Sequence, residues 1–538
     1  MHRALYITLP SLKSYRLAAT CTIIVLALIV YVIVQFILRF PIQFDEGIGT
    51  YGGLRILKGF VPYRDFFHIT TPGVVWLISV FYKLLGTTFF VSRLPTTLCE
   101  IGLLVVLYIG GIKIFKNHFL ILLPPSFFFI ISPISSTYYS THPISMFFSV
   151  TGAIFLLYSI NNRNAFFAGF ASGLSLLMNQ NIGTFTIVGS LILIMSAKGF
   201  FKTKVGIKER LAFFSAGAAI VLLPLAIYLI VTGSAQDAFS TLIIWAFSSY
   251  RKFNIYPYFS AEILDLKNNL YRAFAGEHVL SASTTIGMYL LVGFLPFVLY
   301  PLMLVWSFLK RNWNLLCLSI MGQCLLFSSF NHPDISHVLP TLPLFSLVLF
   351  YSLYFMSGRI RRKAAGSIGT LLILIVFSSL VIFSAARGLS VIAKVMSGPR
   401  IFISFNEGIV LNPVYIESQV IDYIKTNSSP GEPIFIYHWS PILYFLCGRD
   451  NPTKFDTFQP GYNTLAQSEK IIEGLAKHRP PLIVKDAFLE AIKGPWRYMF
   501  PTVDEKTLSR DIVDESIQRA YSPKLRIGSY TIYALKSP

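Results

Sequence analysis

The stretch Phe40-Pro-Ile-Gln-Phe-Asp-Glu-Gly-Ile-Gly-Thr-Tyr-Gly-Gly-Leu-Arg-Ile-Leu-Lys-Gly-Phe-Val-Pro-Tyr-Arg-Asp-Phe-Phe-His-Ile-Thr-Thr-Pro-Gly73 opens a segment, ending at Arg93, around which the chain is organised. It follows an apolar run, 17–38, long enough to cross a bilayer. Asp45, Glu46 and Asp65 therefore fall where the chain leaves the membrane. Carboxylates there are costly unless they face water or a polar cavity, so they are functional candidates in an otherwise apolar protein. Residues 1–400 hold only ten Asp plus Glu, and three of the ten are in this loop. A solvated surface loop would carry such charges too.

The remainder of the composition decides the class. Of 538 residues, 54% are hydrophobic and 13% charged, where soluble domains average about 25% charged. The mean hydropathy is +0.62. This describes an integral membrane protein. The net charge of +20 does not point to nucleic acid, because many of the basic residues lie in short loops between apolar runs. The five cysteines show neither a disulfide framework nor a C-x-x-C metal site, and only Cys447 falls outside or away from an apolar segment. The 17–38 run is too long for a signal-peptide core and lacks a cleavage site, so it is expected to stay as the first helix.

Apolar runs at 17–38, 98–115, 119–131, 144–160, 165–178, 182–195, 211–231, 286–309, 315–330, 338–356 and 368–386 predict about eleven transmembrane helices. The pair flanking Asn179 also fits a re-entrant hairpin. Lys113, Lys116, Arg163, the 198–210 cluster, Lys310-Arg311 and the 359–363 cluster all fall on the side of the N-terminus. The opposite short loops, 132–143, 179–181 and 331–337, lack Lys and Arg. This asymmetry places the N-terminus in the cytoplasm and the Asp45 loop outside. An odd number of helices puts the C-terminal part outside as well. The apolar stretch 74–85 is short for a span and is expected as an interfacial helix with Trp76 and Tyr82 at headgroup level. Glu100, near the start of the second helix, is expected to bond a neighbour.

Beyond residue 400 lie fifteen acids, and the pattern changes. Segments starting at Pro433, Pro481 and Tyr530 read as short strands, and 415–425 and 464–477 as helices. The chain is thus divided into a membrane domain 1–397 with its first loop at 39–97, a linker 398–412 and a small extracytoplasmic α/β domain 413–538.

The ordered set Asp45-Glu46, Gly59-Phe-Val-Pro-Tyr-Arg-Asp65, Thr71-Pro-Gly73 and Ser92-Arg-Leu-Pro95 resembles the first external loop of the multi-pass GT-C glycosyltransferases. More narrowly it is similar to family 39 and the lipid A aminoarabinose transferase group, relatives of protein O-mannosyltransferases. The resemblance implies a polyprenyl-phosphate sugar donor and Asp45 as general base. Gly173-Leu-Ser-Leu-Leu-Met-Asn-Gln-Asn-Ile-Gly183 resembles another family segment, with Asn179 where a Lys is common. Gln180 and Asn181 are expected to cap short helices. Asn331-His-Pro-Asp-Ile-Ser-His337 resembles a late segment near the carrier phosphate, onto which Asp334 and His337 transfer while the usual Arg is missing. In many relatives an acid lies near His142.

The function expected is sugar transfer, hexosyl or pentosyl, from a polyprenyl-phosphate donor to a glycan, lipid or protein acceptor. The site would lie on the outer face of a bacterial inner (plasma) membrane, and transfer would invert the anomeric carbon. Asp45 and Glu46 are the catalytic candidates, with Glu46 and Asp65 organising Arg64 or the acceptor. Arg64, Asp65, His142, Arg251, Asp334 and His337 are candidates for substrate binding, the cations because guanidinium and ammonium groups bond phosphate oxygens strongly. No metal ligand is assigned, although Asp334 with two histidines leaves a divalent cation open. The competing class is a transporter or flippase of polyprenyl-linked glycolipids without covalent chemistry. Such proteins place ionisable groups mid-membrane and often show paired broken helices, whereas these acids lie in a loop. The Pro441–Arg449 segment fits acceptor binding and loop packing equally.

Overall fold

A computed structural model describes residues 45–116, 118–135, 141–200, 206–253, 289–331, 335–360, 402–405, 408–411, 415–438, 440–458, 462–486 and 511–536, with the single positions 267 and 287. The expected helices 17–38 and 368–386, Asp334 and residues 136–140 of loop 132–143 lie outside these residues.

The described residues open with two helices that pack on each other and on the bundle, α1 (Asp45–Leu57) and α2 (Gly73–Leu85). The bundle consists of α3 (Phe89–Ile114), α4 (His118–Ser135), α5 (Thr141–Tyr158), α6 (Asn162–Met178), α7 (Gln180–Ser196) and α8 (Ile207–Val231). It continues with α9 (Leu295–Leu309), α10 (Trp313–Phe327) and α11 (Leu342–Ile360). Six helices among the described residues are long and apolar enough to cross a membrane. Others, such as Leu120–Ile131 and Leu339–Phe355, are apolar but shorter. The protein is a multi-pass helical membrane protein. The 182–195 run belongs to a segment, Gln180–Gly199, of spanning length.

Helix α3 starts nine residues before the apolar run that predicts it. The Thr88 hydroxyl caps it by accepting from the Val91 amide, and Pro95 lies inside it without ending it. Glu100 is consequently buried within this helix.

Small residues and hydroxyls hold the bundle together, as expected where lipid supplies no hydrophobic drive between helices. A Cβ on Gly169 would lie 2.0 Å from the Phe214 carbonyl oxygen, and one on Gly217 would lie 2.1 Å from that of Phe166. Helices α6 and α8 are therefore in backbone contact. Ser145 and Ser149 of α5, Ser175 of α6 and Thr186 of α7 form one buried cluster. Its cross-helix contacts are 2.8 Å for Ser145–Ser175, 2.8 Å for Ser149–Ser175 and 2.6 Å for Ser149–Thr186. On its other side α8 exposes Ile220, Leu223, Ile227, Ile230 and Val231, a face suited to lipid.

The C-terminal module has the expected strands β3 (Phe435–Tyr437), β4 (Leu482–Lys485) and β6 (Tyr530–Leu535), together with β5 (Tyr521–Ile527), which the sequence pattern did not suggest. They form one sheet in the order β3-β4-β6-β5, with β3 and β4 parallel and the other pairs antiparallel. Helices α12 (Tyr415–Thr426), α13 (Ile442–Cys447), α14 (Leu465–His478) and α15 (Ile512–Ala520) accompany it. Thr464 caps α14 through a capping box with Gln467. The stretch 398–412, expected as a linker, contains an antiparallel hairpin of β1 (Phe402–Phe405) and β2 (Gly408–Leu411).

The module is not a separate appendage. One continuous core joins Tyr51, Val74, Ile78 and Tyr82 of the first two helices to Val420, Ile436, Ile442, Tyr444 and Phe445 of the module. Tyr82, expected at headgroup level, is buried against Phe445 and donates to the Thr50 carbonyl at 3.3 Å. The exposed apolar residues of α2 are Val80, Leu84 and Leu85 instead. Trp76 packs edge-on against Tyr228 of α8.

Candidate active site

Asp45 is the first residue of α1 and is half-buried. Its neighbour Glu46 points into the protein. Its two oxygens accept from Arg93 Nε at 2.6 Å and Nη2 at 3.0 Å, and both side chains are essentially inaccessible. The Arg93 cation also sits 4.1 Å from the centre of the Phe89 ring. The expectation that Glu46 organises Arg64 is thus corrected, because its partner is Arg93 at the start of α3.

Arg64 belongs to Asp65. The Asp65 carboxylate accepts Arg64 Nε and Nη2, each at 2.8 Å, and the Val61 amide at 2.7 Å. These bonds, Arg64 foremost, hold the Asp65 pKa below the usual carboxylate value. Arg64 Nη1 reaches the Thr232 carbonyl at 3.1 Å, tying the first loop to the end of α8.

His68 was not singled out by sequence. It is buried between Tyr63 and Phe66, with Nε2 3.3 Å from Thr70 Oγ1. Burial pushes its pKa down to about 4, so the ring is neutral near pH 7.

Two residues from separate loops meet. His142, in the first turn of α5, and His337, in the turn Ile335–Val338, have ring centres 5.2 Å apart and planes at 88°. The Asn179-Gln-Asn181 junction between α6 and α7 holds their surroundings in register. Asn179 is the cap, its Oδ1 accepting from the amides of Asn181 and Ile182, while its Nδ2 donates to Thr141 Oγ1 at 2.7 Å. Gln180 Nε2 donates to the Ile69 carbonyl and its Oε1 accepts from the Thr71 amide, both at 3.0 Å. Asn181 Nδ2 donates to the Ser328 carbonyl at 2.6 Å. Gln180 and Asn181 therefore bridge three loops rather than cap, contrary to expectation.

Arg251 is exposed at the end of a helical segment, 235–253, that includes the π-helix Ser240–Tyr250. On its inner face Trp245 donates to the Tyr462 carbonyl at 3.0 Å, and its ring packs against Tyr250, Tyr462 and Phe67. Tyr462 comes from the C-terminal module. Burial, then Tyr250 and the charge of Asp45, push its phenol pKa well up. Asp45 thus lies where the first helix, the 235–253 segment and the module converge. The segment 441–449, of open function by sequence, packs here: α13 is wholly buried against α1. Among the described residues no three His, Cys, Asp or Glu side chains are grouped to hold a metal ion.

This arrangement spans the length of known folds. Over 96% of this chain and 98% of the other, it superposes on the apo crystal structure of ArnT from Cupriavidus metallidurans, with a TM-score of 0.57 and 13% identity. The chain has a GT-C fold. The same ArnT bound to undecaprenyl phosphate matches with a TM-score of 0.55 and 11% identity over the same shares. The mycobacterial arabinofuranosyltransferase AftD matches at a TM-score of 0.44 and 11% identity, over 96% of this chain and 40% of AftD. No family model and no curated protein matches by sequence. The likeness of fold thus holds at an identity of 11–13%.

Proposed function

We propose that this protein is a glycosyltransferase that moves a sugar from a polyprenyl-phosphate donor to a cell-envelope acceptor. The reading rests chiefly on the near full-length likeness to ArnT, one of whose crystal structures holds undecaprenyl phosphate. Asp45, at the convergence of three elements beside a membrane bundle, is the general base. It takes the proton of the acceptor hydroxyl as that oxygen attacks the anomeric carbon. The bond from that carbon to the phosphate oxygen breaks, its electron pair leaves with the phosphate, and polyprenyl phosphate is released. A single displacement of this kind inverts the sugar and needs one base.

Charge develops on the departing phosphate, where donors contribute most. The His142–His337 pair supplies two adjacent imidazoles from two loops, and Arg251 an exposed guanidinium. Asp65 acts through Arg64, and Glu46 acts through Arg93 as a positioning residue. Asp334 joins the phosphate side by its resemblance alone. The loop side would face outward from a bacterial inner membrane, with the N-terminus in the cytoplasm. Purified protein incubated with a polyprenyl-phosphate sugar and envelope extract should release polyprenyl phosphate. Movement of the intact donor across vesicles without release would identify a flippase instead.

A further inference from the structure

The turn 450–456 of the C-terminal module, Asp450-Asn-Pro-Thr-Lys-Phe-Asp456, touches every element that frames Asp45. Its contacts with α1, and with Lys58 just past its end, follow one stripe at i, i+4, i+7, the spacing of a single helical face. The Asn451 amide donates to Tyr51 Oη at 3.0 Å. Asp456 Oδ1 pairs with Arg55 Nη1 at 2.9 Å, with both side chains under 10% exposed. Asp450 pairs with Lys58 at 2.6 Å at the exposed end of the stripe. Asn451 also donates from Nδ2 to Asp456 Oδ1 at 3.1 Å, so the two buried anchors are one connected unit. The same turn accepts the Phe67 amide of the first loop on the Lys454 carbonyl at 2.8 Å and pairs Lys454 with Asp237 of the 235–253 segment at 3.1 Å.

One turn of α1 nearer its start, the contact changes from polar to steric. A Cβ at Gly47 would lie 2.5 Å from the Ile442 amide nitrogen and 2.9 Å from Pro441 Cγ, so the module's backbone rests directly on the helix two residues after Asp45. Tyr51 stacks on Tyr444 with ring centres 5.0 Å apart. The opposite face of α1 is held by Glu46–Arg93 and by Thr50, whose hydroxyl donates to Ser92 Oγ at 3.2 Å. Apolar contacts let a helix slide or rotate by a fraction of a turn. Directional buried bonds on two faces do not, and a buried ion pair of this kind is best attested as a device that fixes register rather than one that adds stability.

We propose that the 450–456 turn is a positioning device of the transfer site: through Asn451–Tyr51 and Asp456–Arg55 it sets the axial and rotational position of α1, and so of Asp45. The module is then a working part of the enzyme, with Asp456 and Arg55 as positioning residues. This inference rests on the glycosyltransferase reading for its kinetic consequence but not for its structural one. A displacement of about 1 Å at a reacting group can cost about a hundredfold in rate.

The test compares Asp456→Asn, the double variant Arg55→Met/Asp456→Leu, and Glu515→Gln, which removes only the exposed pair with Arg519. Each full-length protein is assayed for release of polyprenyl phosphate, for donor KM, and for amide exchange across residues 45–57. Asp456→Asn should speed exchange in α1 and lower kcat by tenfold or more, with donor KM within twofold. The double variant removes the unpaired buried charge and should restore protection of α1, yet keep kcat at least fivefold low because no directional bond sets the register. Glu515→Gln should change neither. Full kcat in the double variant, unchanged exchange in Asp456→Asn, or a loss seen in donor KM alone would overturn the proposal. If the wild-type protein releases no polyprenyl phosphate, the transferase reading fails, and α1 exchange still decides whether the turn positions the helix.

Discussion

Glu46→Gln separates chemistry from scaffolding at adjacent residues. The substitution keeps the shape of the side chain but leaves the buried Arg93 charge facing an amide in place of the carboxylate that its Nε and Nη2 bond. Breaking a buried pair by removing one partner typically costs about 3–5 kcal/mol. If the 538 residues unfolded as one unit with about 2.1 cal/mol/K per residue, 4 kcal/mol would move the melting temperature by only about 4 °C. Thermal melting is therefore a blunt assay. Amide exchange of residues 45–57 is sharper, because the same 4 kcal/mol corresponds to roughly a thousandfold faster opening of the helix that carries Glu46. Transfer should fall in proportion to the loss of ordered α1, and Glu46→Leu combined with Arg93→Met should recover much of the protection. If Glu46→Gln abolished transfer while exchange in α1 stayed at the wild-type rate, the carboxylate would be acting on substrate and the positioning role would be wrong.

Asp45→Asn should do the opposite: α1 exchange and donor binding stay unchanged, and transfer falls by about a hundredfold to ten-thousandfold, as for loss of a general base; wild-type turnover with the true acceptor would refute its role. His142→Ala and His337→Ala should each weaken donor use, and the double variant should lose less than the product of the two, since the rings are in contact; multiplicative losses in kcat/KM would mean independent roles. His68 is neutral in the fold and its pKa is depressed from 6.5 to about 4, so its contribution is intact above pH 6.5 and is lost as pH falls toward 4. The loss amounts to about 3 kcal/mol at 1.36 kcal/mol per unit, and protease cleavage within 58–72 should rise across that window in wild type but not in His68→Phe.

Much of the fold was legible because hydrophobic length alone marks spanning helices and short Ile/Val/Phe runs mark buried strands. The loop carrying Asp45 was legible because carboxylates are scarce elsewhere in the membrane half. The fate of Glu46 was not, since its partner is 47 residues away in a helix whose start the apolar run hides. One signal was present: Arg93 is the only basic residue between Thr88 and Ile112, and a cation entering an apolar helix requires a counter-charge. The 402–411 hairpin was missed although the short apolar runs Phe402-Ile-Ser-Phe405 and Ile409-Val-Leu411 flank Asn406-Glu-Gly408, a turn pattern. The turn 450–456 reads locally as a polar loop. Its pairing with Tyr51 and Arg55 spans some 400 residues and leaves no periodic trace.

The hydroxyl cluster of α5, α6 and α7 bears on how the protein enters its membrane. Four hydroxyl hydrogens, on Ser145, Ser149, Ser175 and Thr186, serve six close contacts. Two of those contacts are to a helix's own chain, Ser149 to the Ser145 carbonyl at 3.0 Å and Thr186 to that of Ile182 at 2.8 Å. Helices α5 and α7 can thus be inserted with these groups already satisfied at home, before any neighbour arrives. Ser145 and Ser175 differ, because their contacts in the cluster lie across the α5–α6 junction, so these two hydroxyls are satisfied when those helices meet. Closing the α5–α6 pair is therefore the step that completes the cluster, and α7 joins it through Thr186 with its own bond already made.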